Sequence, residues 1–180
     1  GSRLDPIGQK GAHQLLASVI CRGCGPYNNL EIADLVEGCG AGLRCDTYED
    51  GLLISLKCSD SDADRLLPVV GWMITNPHLE SEQITLEREL SLQALQRQKE
   101  NPFQLAFDGW RGLAYGDGPY GHDPLGIIND VKELSRTNLL PLAEKLVNKE
   151  KVMAIAGIFP NDIDKRLQEI KPFDQFKNLE

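Results

Sequence analysis

Along the chain, apolar residues recur mostly at helical spacing, and one segment alternates instead. His13 to Ile20 contains no turn formers and predicts a helix that stops at the Gly23–Pro26 turn. Asn28 and Asn29 can cap a second helix, in which Leu30, Ala33 and Val36 share a face. A glycine-rich stretch follows. The dipeptide Asp50-Gly51 then separates two strand-like runs, the signature of a hairpin, with Leu52, Ile54, Leu56 and Cys58 on one sheet face. Residues 60–76 predict a helix opened by aspartates, with Pro68 inside it and Pro77 ending it. A long amphipathic helix runs from Ser81 towards Pro102, and another covers Pro102 to Ala114. After the glycine-rich loop 115–126, Ser135 to Val147 predicts a helix. The almost uninterrupted apolar run Lys151–Phe159 predicts a buried strand, and Asn161 is placed to cap a last helix.

Strands do not alternate with helices, so the expected class is α+β: a mostly antiparallel sheet with helices packed on one face. Three strands are few for this many helices, and a further opening strand is expected to lie outside the sequence. The 180 residues suit a single domain spanning 1–180, read as a piece of a longer chain, with Leu179-Glu180 a possible tag remnant.

Composition narrows the class. The net charge of -8 comes with no basic stripe, which argues against a nucleic-acid surface. No apolar run approaches the roughly 18 residues that cross a bilayer, and the first ten residues lack a signal core, so no membrane is expected. Five cysteines, an odd number in a chain of this size, read as thiols in a reducing compartment, the cytoplasm or an organellar matrix.

Few residues carry candidate chemistry. Cys21 and Cys24 have the spacing of half a zinc site or of a redox pair. However, no second C-x-x-C exists, and a helix end opposes a thiolate, so small buried thiols are the simpler reading. His13 stands alone at a helix start. His78 reads as exposed. His122 beside Asp123 reads as part of a turn, with no nucleophile-elbow serine or cysteine near it. The glycine loops fit neither phosphate-binding pattern.

A series of segments resembles a known family. "GSRLDP" followed by "KGAHQLLASV", then "EIADLVEGCGAGLRCDTYEDGLLISL", "ITLEREL", "YGHDPLG" and "VMAIAGIFPNDI", is similar in order and content to the pitrilysin/insulinase-type zinc metallopeptidases, the inverted H-x-x-E-H family that includes mitochondrial processing peptidase. The resemblance implies a first-half domain of such a peptidase. It places the first zinc-ligand histidine on His13, the catalytic glutamate on Leu16, the second ligand histidine on Ala17 and the third ligand, counted from Glu87 and Arg88, on Ala94. Glu87 matches an acidic residue kept beside the site. Catalytic zinc takes three protein ligands and a water, and that water needs a base. Leu16, Ala17 and Ala94 supply none of these, and Cys21, two turns beyond His13, is no simple substitute. No catalytic residue, no metal and no cofactor are therefore expected here, zinc belonging to active relatives. The resemblance further implies a peptide-pairing edge strand at Leu43, Arg44, Cys45, Asp46 and Thr47, and partners in the form of a homologous second half, an active peptidase subunit and extended peptides. A stand-alone peptide- or protein-binding module, and a hydrolase built on His122 and Asp123, are the alternatives.

Overall fold

The computed structural model describes residues 1–158 and 161–175. Phe159, at the end of the predicted strand, and the possible tag remnant lie outside the described residues. In chain order the elements are α1 (Ala12–Ile20), α2 (Asn29–Glu37), β1 (Gly42–Thr47), β2 (Leu52–Lys57), α3 (Ala63–Thr75), α4 (Ser81–Gln98), α5 (Pro102–Tyr115), α6 (Ile128–Glu133), α7 (Arg136–Val147) and α8 (Ile163–Gln168). β1 and β2 form a two-stranded antiparallel sheet, and the class is α+β.

Local signals account for most of these boundaries. The Asn28 side chain accepts from the Glu31 N–H at 3.0 Å, and the Glu31 carboxylate accepts from the Asn28 N–H at 2.8 Å, a reciprocal cap for α2. Asn101 caps α5 through the Phe103 N–H at 3.0 Å, with Pro102 in the first turn, where its missing N–H costs nothing. The hairpin closes through the Tyr48 N–H to the Gly51 carbonyl at 2.9 Å. Along β2 half-buried and exposed residues alternate, with Leu52, Ile54 and Leu56 on the half-buried face. Pro68 lies inside α3, which continues past it.

The chain divides into two compact units. The first comprises Gly1–Val19, Cys45–Leu53 and Leu79–Leu142. Its core holds Leu15, Leu16 and Val19 of α1, Leu79, Ile84 and Leu95 at and within α4, and Val131, Leu134 and Leu139 around α6 and α7. α4 packs on α6, and Arg88 fastens the pair by donating to the Leu134 carbonyl at 2.8 Å. The second comprises Ile20–Arg44, Ile54–His78 and the chain from Ala143. Its core gathers Ile20, Cys24, Ile32, Leu66, Val69, Met73 and Phe173. Trp72 meets Tyr27 edge-on at 5.8 Å, and Arg166 joins α8 to Asp64 at the start of α3.

Two expectations need correction, and one element was not expected. The run from Lys151 is not a strand: residues 151–158 are irregular, with Val152 81% and Ile158 88% exposed. An apolar strand buried on both faces requires neighbours, and among the described residues the sheet contains only β1 and β2. α8 is preceded by Asp162, not Asn161, in the cap position, without a side-chain capping bond. α6 was not anticipated; it has six residues, and its cap position is Ile127, which offers no capping side chain.

Candidate functional site

The site suggested by the resemblance is built in the first unit, at the start of α1. The chain enters α1 through Gly11 at φ +102°, where a Cβ would stand 2.8 Å from the Leu125 carbonyl and the Val131 side chain; only glycine fits. Asp5 lies beneath this entry. Its carboxylate accepts from the backbone N–H groups of Gly11 at 2.7 Å and His13 at 3.0 Å, so it satisfies donors that the first helical turn leaves over. It also accepts from His13 Nδ1 at 2.6 Å and, more weakly, from His122 Nε2 at 3.4 Å. The Asp5 side chain is fully buried, and those of His13 and His122 are nearly so. Burial works against the Asp5 charge, but the hydrogen bonds from His122, His13 and the two backbone amides outweigh it and hold the carboxyl down at about 2.

This arrangement fixes the His13 ring. With Nδ1 donating to Asp5, a neutral imidazole keeps its lone pair on Nε2, the tautomer in which a carboxylate-held histidine presents a ligand nitrogen. His122 is anchored by its backbone: Arg111 Nη1 donates to the His122 carbonyl at 2.5 Å, pairs with Glu49 at 3.3 Å and lies over the Phe107 ring at 5.0 Å. His122 Nδ1 is buried and has no hydrogen-bond partner among the described residues.

The remaining positions offer carbon. Leu16 and Ala17 are fully buried in the core of α1, Ala94 is half-buried on α4, and Glu87 is buried on the same helix. Among the described residues no group of three or more His, Cys, Asp and Glu side chains is arranged to hold a metal ion. A catalytic zinc takes three protein ligands and a base, and of the four positions that the resemblance implies only His13 carries a ligating side chain.

The other candidate residues scatter. In the predicted edge strand, Leu43, Cys45 and Asp46 are half-buried, Arg44 is exposed and Thr47 is buried. Thr47 fastens the strand to α1, its N–H donating to Gln14 Oε1 at 3.3 Å and its hydroxyl to the His13 carbonyl at 3.1 Å. Asp123 holds a turn: its carboxylate accepts from the Leu125 N–H at 2.9 Å and from Gln104 at 3.0 Å, while the His122 ring reaches Asp5 instead. In the second unit His78 is half-buried, not exposed, because Nε2 donates to the Gly25 carbonyl at 2.8 Å. Cys24 is buried, and its thiol donates to the Val69 carbonyl at 3.6 Å. Burial, and next the neighbouring Cys21, push the Cys24 thiol up to about 12, the opposite of a redox cysteine. All five cysteines are free thiols. Sequence reasoning missed the part played by Asp5. The signal for it was its place in the opening "GSRLDP" segment, eight residues before the histidine it orients.

Fold and site together define a peptidase-type scaffold whose helix α1 retains a single ligand-type histidine. Residues 1–123 match the model of the family described as Insulinase (Peptidase family M16), and the chain belongs to this family. It is 23% identical over 163 residues to an uncharacterized zinc protease of Mycobacterium leprae, a match covering 90% of this chain and 37% of the relative. It is 25% identical over 140 residues to the human mitochondrial-processing peptidase subunit beta, covering 78% of this chain and 29% of that protein. Among solved structures, a protease from Helicobacter pylori superposes with a TM-score of 0.73 at 19% identity, over 79% of this chain and 35% of that one. A structure described as a peptidase M16 inactive domain from Pseudomonas fluorescens superposes with a TM-score of 0.72 at 22% identity, with the same coverage. At these identities the two structures share the fold. The chain spans about a third of the length of the curated relatives it matches. No helix among the described residues is long and apolar enough to cross a membrane.

Proposed function

We propose that this chain is a non-catalytic domain of the M16 family, one that completes a chamber and helps hold an extended peptide for an active partner carrying an intact H-x-x-E-H helix. The observation that carries this reading is the filling of α1: Leu16 and Ala17, at the positions of the base and the second ligand, are fully buried core residues. A side chain with no lone pair neither binds zinc nor takes a proton from water. Peptide binding depends on other groups. Strand addition uses backbone N–H and C=O, which survive any change of catalytic side chain. On this reading the segment is β1 at Leu43, Arg44, Cys45, Asp46 and Thr47. The partner is a homologous half or subunit, in keeping with the length of the relatives. Five free thiols support a reducing compartment.

The test is direct. The chain, stripped with a chelator and dialysed against zinc, is analysed for bound metal and for cleavage of unstructured peptides. It is expected to hold no stoichiometric zinc and to cleave nothing alone, but to raise cleavage by a subunit bearing the intact motif. One zinc per chain together with peptide cleavage by the isolated protein refutes the proposal.

A further inference from the structure

The open end of the β1–β2 hairpin lies between two thiols. Its two-residue turn, closed by the Tyr48 N–H on the Gly51 carbonyl at 2.9 Å, fixes the register. Gly42 therefore lies opposite Lys57, and one step beyond the ladder Ala41 lies opposite Cys58. Cys58 continues the half-buried face of Leu52, Ile54 and Leu56 and is itself half-buried. On the other side the chain leaves α2 through Cys39 and Gly40, whose φ of +66° turns it back onto the helix end. The Val36 carbonyl then accepts from the Ala41 N–H at 3.0 Å and from the Cys39 thiol at 3.4 Å, and the Leu35 carbonyl accepts from the same thiol at 3.2 Å. The Cys39 sulfur and the Ala41 backbone thus share one carbonyl, and Cys58 stands one strand spacing, about 5 Å, across from Ala41.

Electrostatics agrees with this placement. Both cysteines belong to the second unit, and both are half-buried. The Cys58 thiol is pushed up by burial, then by Asp62, then by Cys39, so the Cys39 sulfur lies within electrostatic reach of it. Disfavouring the thiolate also denies the reduced form the stabilisation that makes a cysteine pair strongly oxidising.

We infer that Cys39 and Cys58 form a reversible disulfide clasp, which joins the end of α2 to the end of β2 and closes the segment that carries β1. The oxidant is a low-molecular-weight disulfide such as oxidised glutathione. The Cys39 thiolate attacks one glutathione sulfur; the glutathione S–S bond breaks, and the first glutathione leaves as a thiolate. Cys58, deprotonated in turn, attacks the Cys39 sulfur of the mixed disulfide and expels the second glutathione. Two cysteine thiols are oxidised, one external disulfide is reduced to two thiols, and the two protons lost by the cysteines end on them. In a reducing compartment such a bond forms only when oxidant rises, so it is a sensor and not a staple. A two-stranded hairpin is marginal by itself, and closing a loop of about 20 residues holds its open end. What the clasp regulates, the strand from Leu43 to Thr47 offered to peptides, rests on the reading proposed above. The clasp itself does not: mass and amide exchange decide it, whereas zinc and cleavage assays decide that reading.

The reduced full chain is equilibrated without air in glutathione buffers of rising oxidised fraction, quenched with iodoacetamide and mapped without reduction. Cleavage after Lys, Arg and Glu puts each of the five cysteines on its own peptide. The expected product is a single chain lighter by two hydrogens, with peptides 38–44 and 58–65 linked, and dithiothreitol reverses it. Amide exchange in β1 and β2 is expected to slow at least about tenfold on linkage. Cys45→Ser should keep the link. Cys58→Ser should abolish it and leave exchange as in the reduced chain. Linkage of Cys21 to Cys24, or of Cys45, in place of this pair overturns the inference. So does glutathione on Cys39 and Cys58 without a link, a bond between chains, or a link that forms no more readily in the folded chain than in urea. A link that leaves exchange in β1 and β2 unchanged overturns it equally.

Discussion

Replacing Asp5 by asparagine removes one charge from the most heavily used acceptor in the first unit. The carboxyl is held at about 2 against an ordinary value of 3.8. At about 1.4 kcal/mol per unit, the ionised form is favoured by folding to the extent of roughly 2 kcal/mol. The sign follows from the direction of the shift. A depressed folded value means that the stabilisation is complete above about pH 4 and is lost as the pH falls through 4 towards 2. Asparagine cannot reproduce the arrangement. Each carboxylate oxygen faces a backbone donor, one at Gly11 and the other at His13, so whichever way the amide turns, its NH2 meets an N–H and leaves it unpaired. A buried unpaired donor costs about 1–3 kcal/mol by itself. Urea unfolding followed by circular dichroism should therefore show Asp5→Asn destabilised by roughly 2 kcal/mol or more at pH 7, with the gap to the parent narrowing below about pH 4. A variant as stable as the parent at pH 7, or a gap that stays constant down to pH 2, would refute the claim that the ionised carboxylate organises this entry.

Three further outcomes follow from particular contacts. Leu16→Ala opens a cavity in a fully buried position and should cost about 2–5 kcal/mol by urea titration; a cost under about 1 kcal/mol would mean that the α1 core is not packed as described. Cys24 should be the slowest of the five thiols to react with iodoacetamide in the native protein near pH 8, and labelling at the rate of half-buried Cys21, read by peptide mass spectrometry, would contradict the buried, raised thiol. Asn28→Ala removes half of the reciprocal cap on α2 and should cost about 1 kcal/mol while speeding amide exchange at Glu31; unchanged exchange there would show the cap to be idle.

Where sequence and structure agree, the signals are local. A capping asparagine acts over three residues and a hairpin turn over four, so Asn28 and Asp50-Gly51 announce themselves in a single chain. The misjudged features depend on distant partners. The run 151–158 has the composition of a buried strand, yet a strand exists only beside another strand. α5 was legible as a helix but its orientation was not, because the facts that turn Gln104, Asp108 and Arg111 inward are Asp123, His122 and Glu49. In the candidate site, the side chains at 16, 17 and 94 could be set against the family's motif by position, from the sequence alone. The network that holds His13 could not, since it joins Asp5 to a histidine 117 residues away.

That network also gives His13 a part in the fold that needs no metal. The bond from Asp5 that would orient a ligand imidazole is equally a bond to Asp5 from its nearest donor, at 2.6 Å. Removing the imidazole would leave a fully buried carboxylate with two amides and a distant His122, a loss on the order of 1–3 kcal/mol for a charge-assisted bond. Leu16 and Ala17 stand in the opposite position. Their side chains contribute burial to the same helix, whereas a glutamate at 16 would place a charge in that core. If the chain is non-catalytic as proposed, its pattern follows folding energy: the histidine that supports the entry to α1 stays, and the positions whose polar side chains would serve only catalysis carry Leu16 and Ala17.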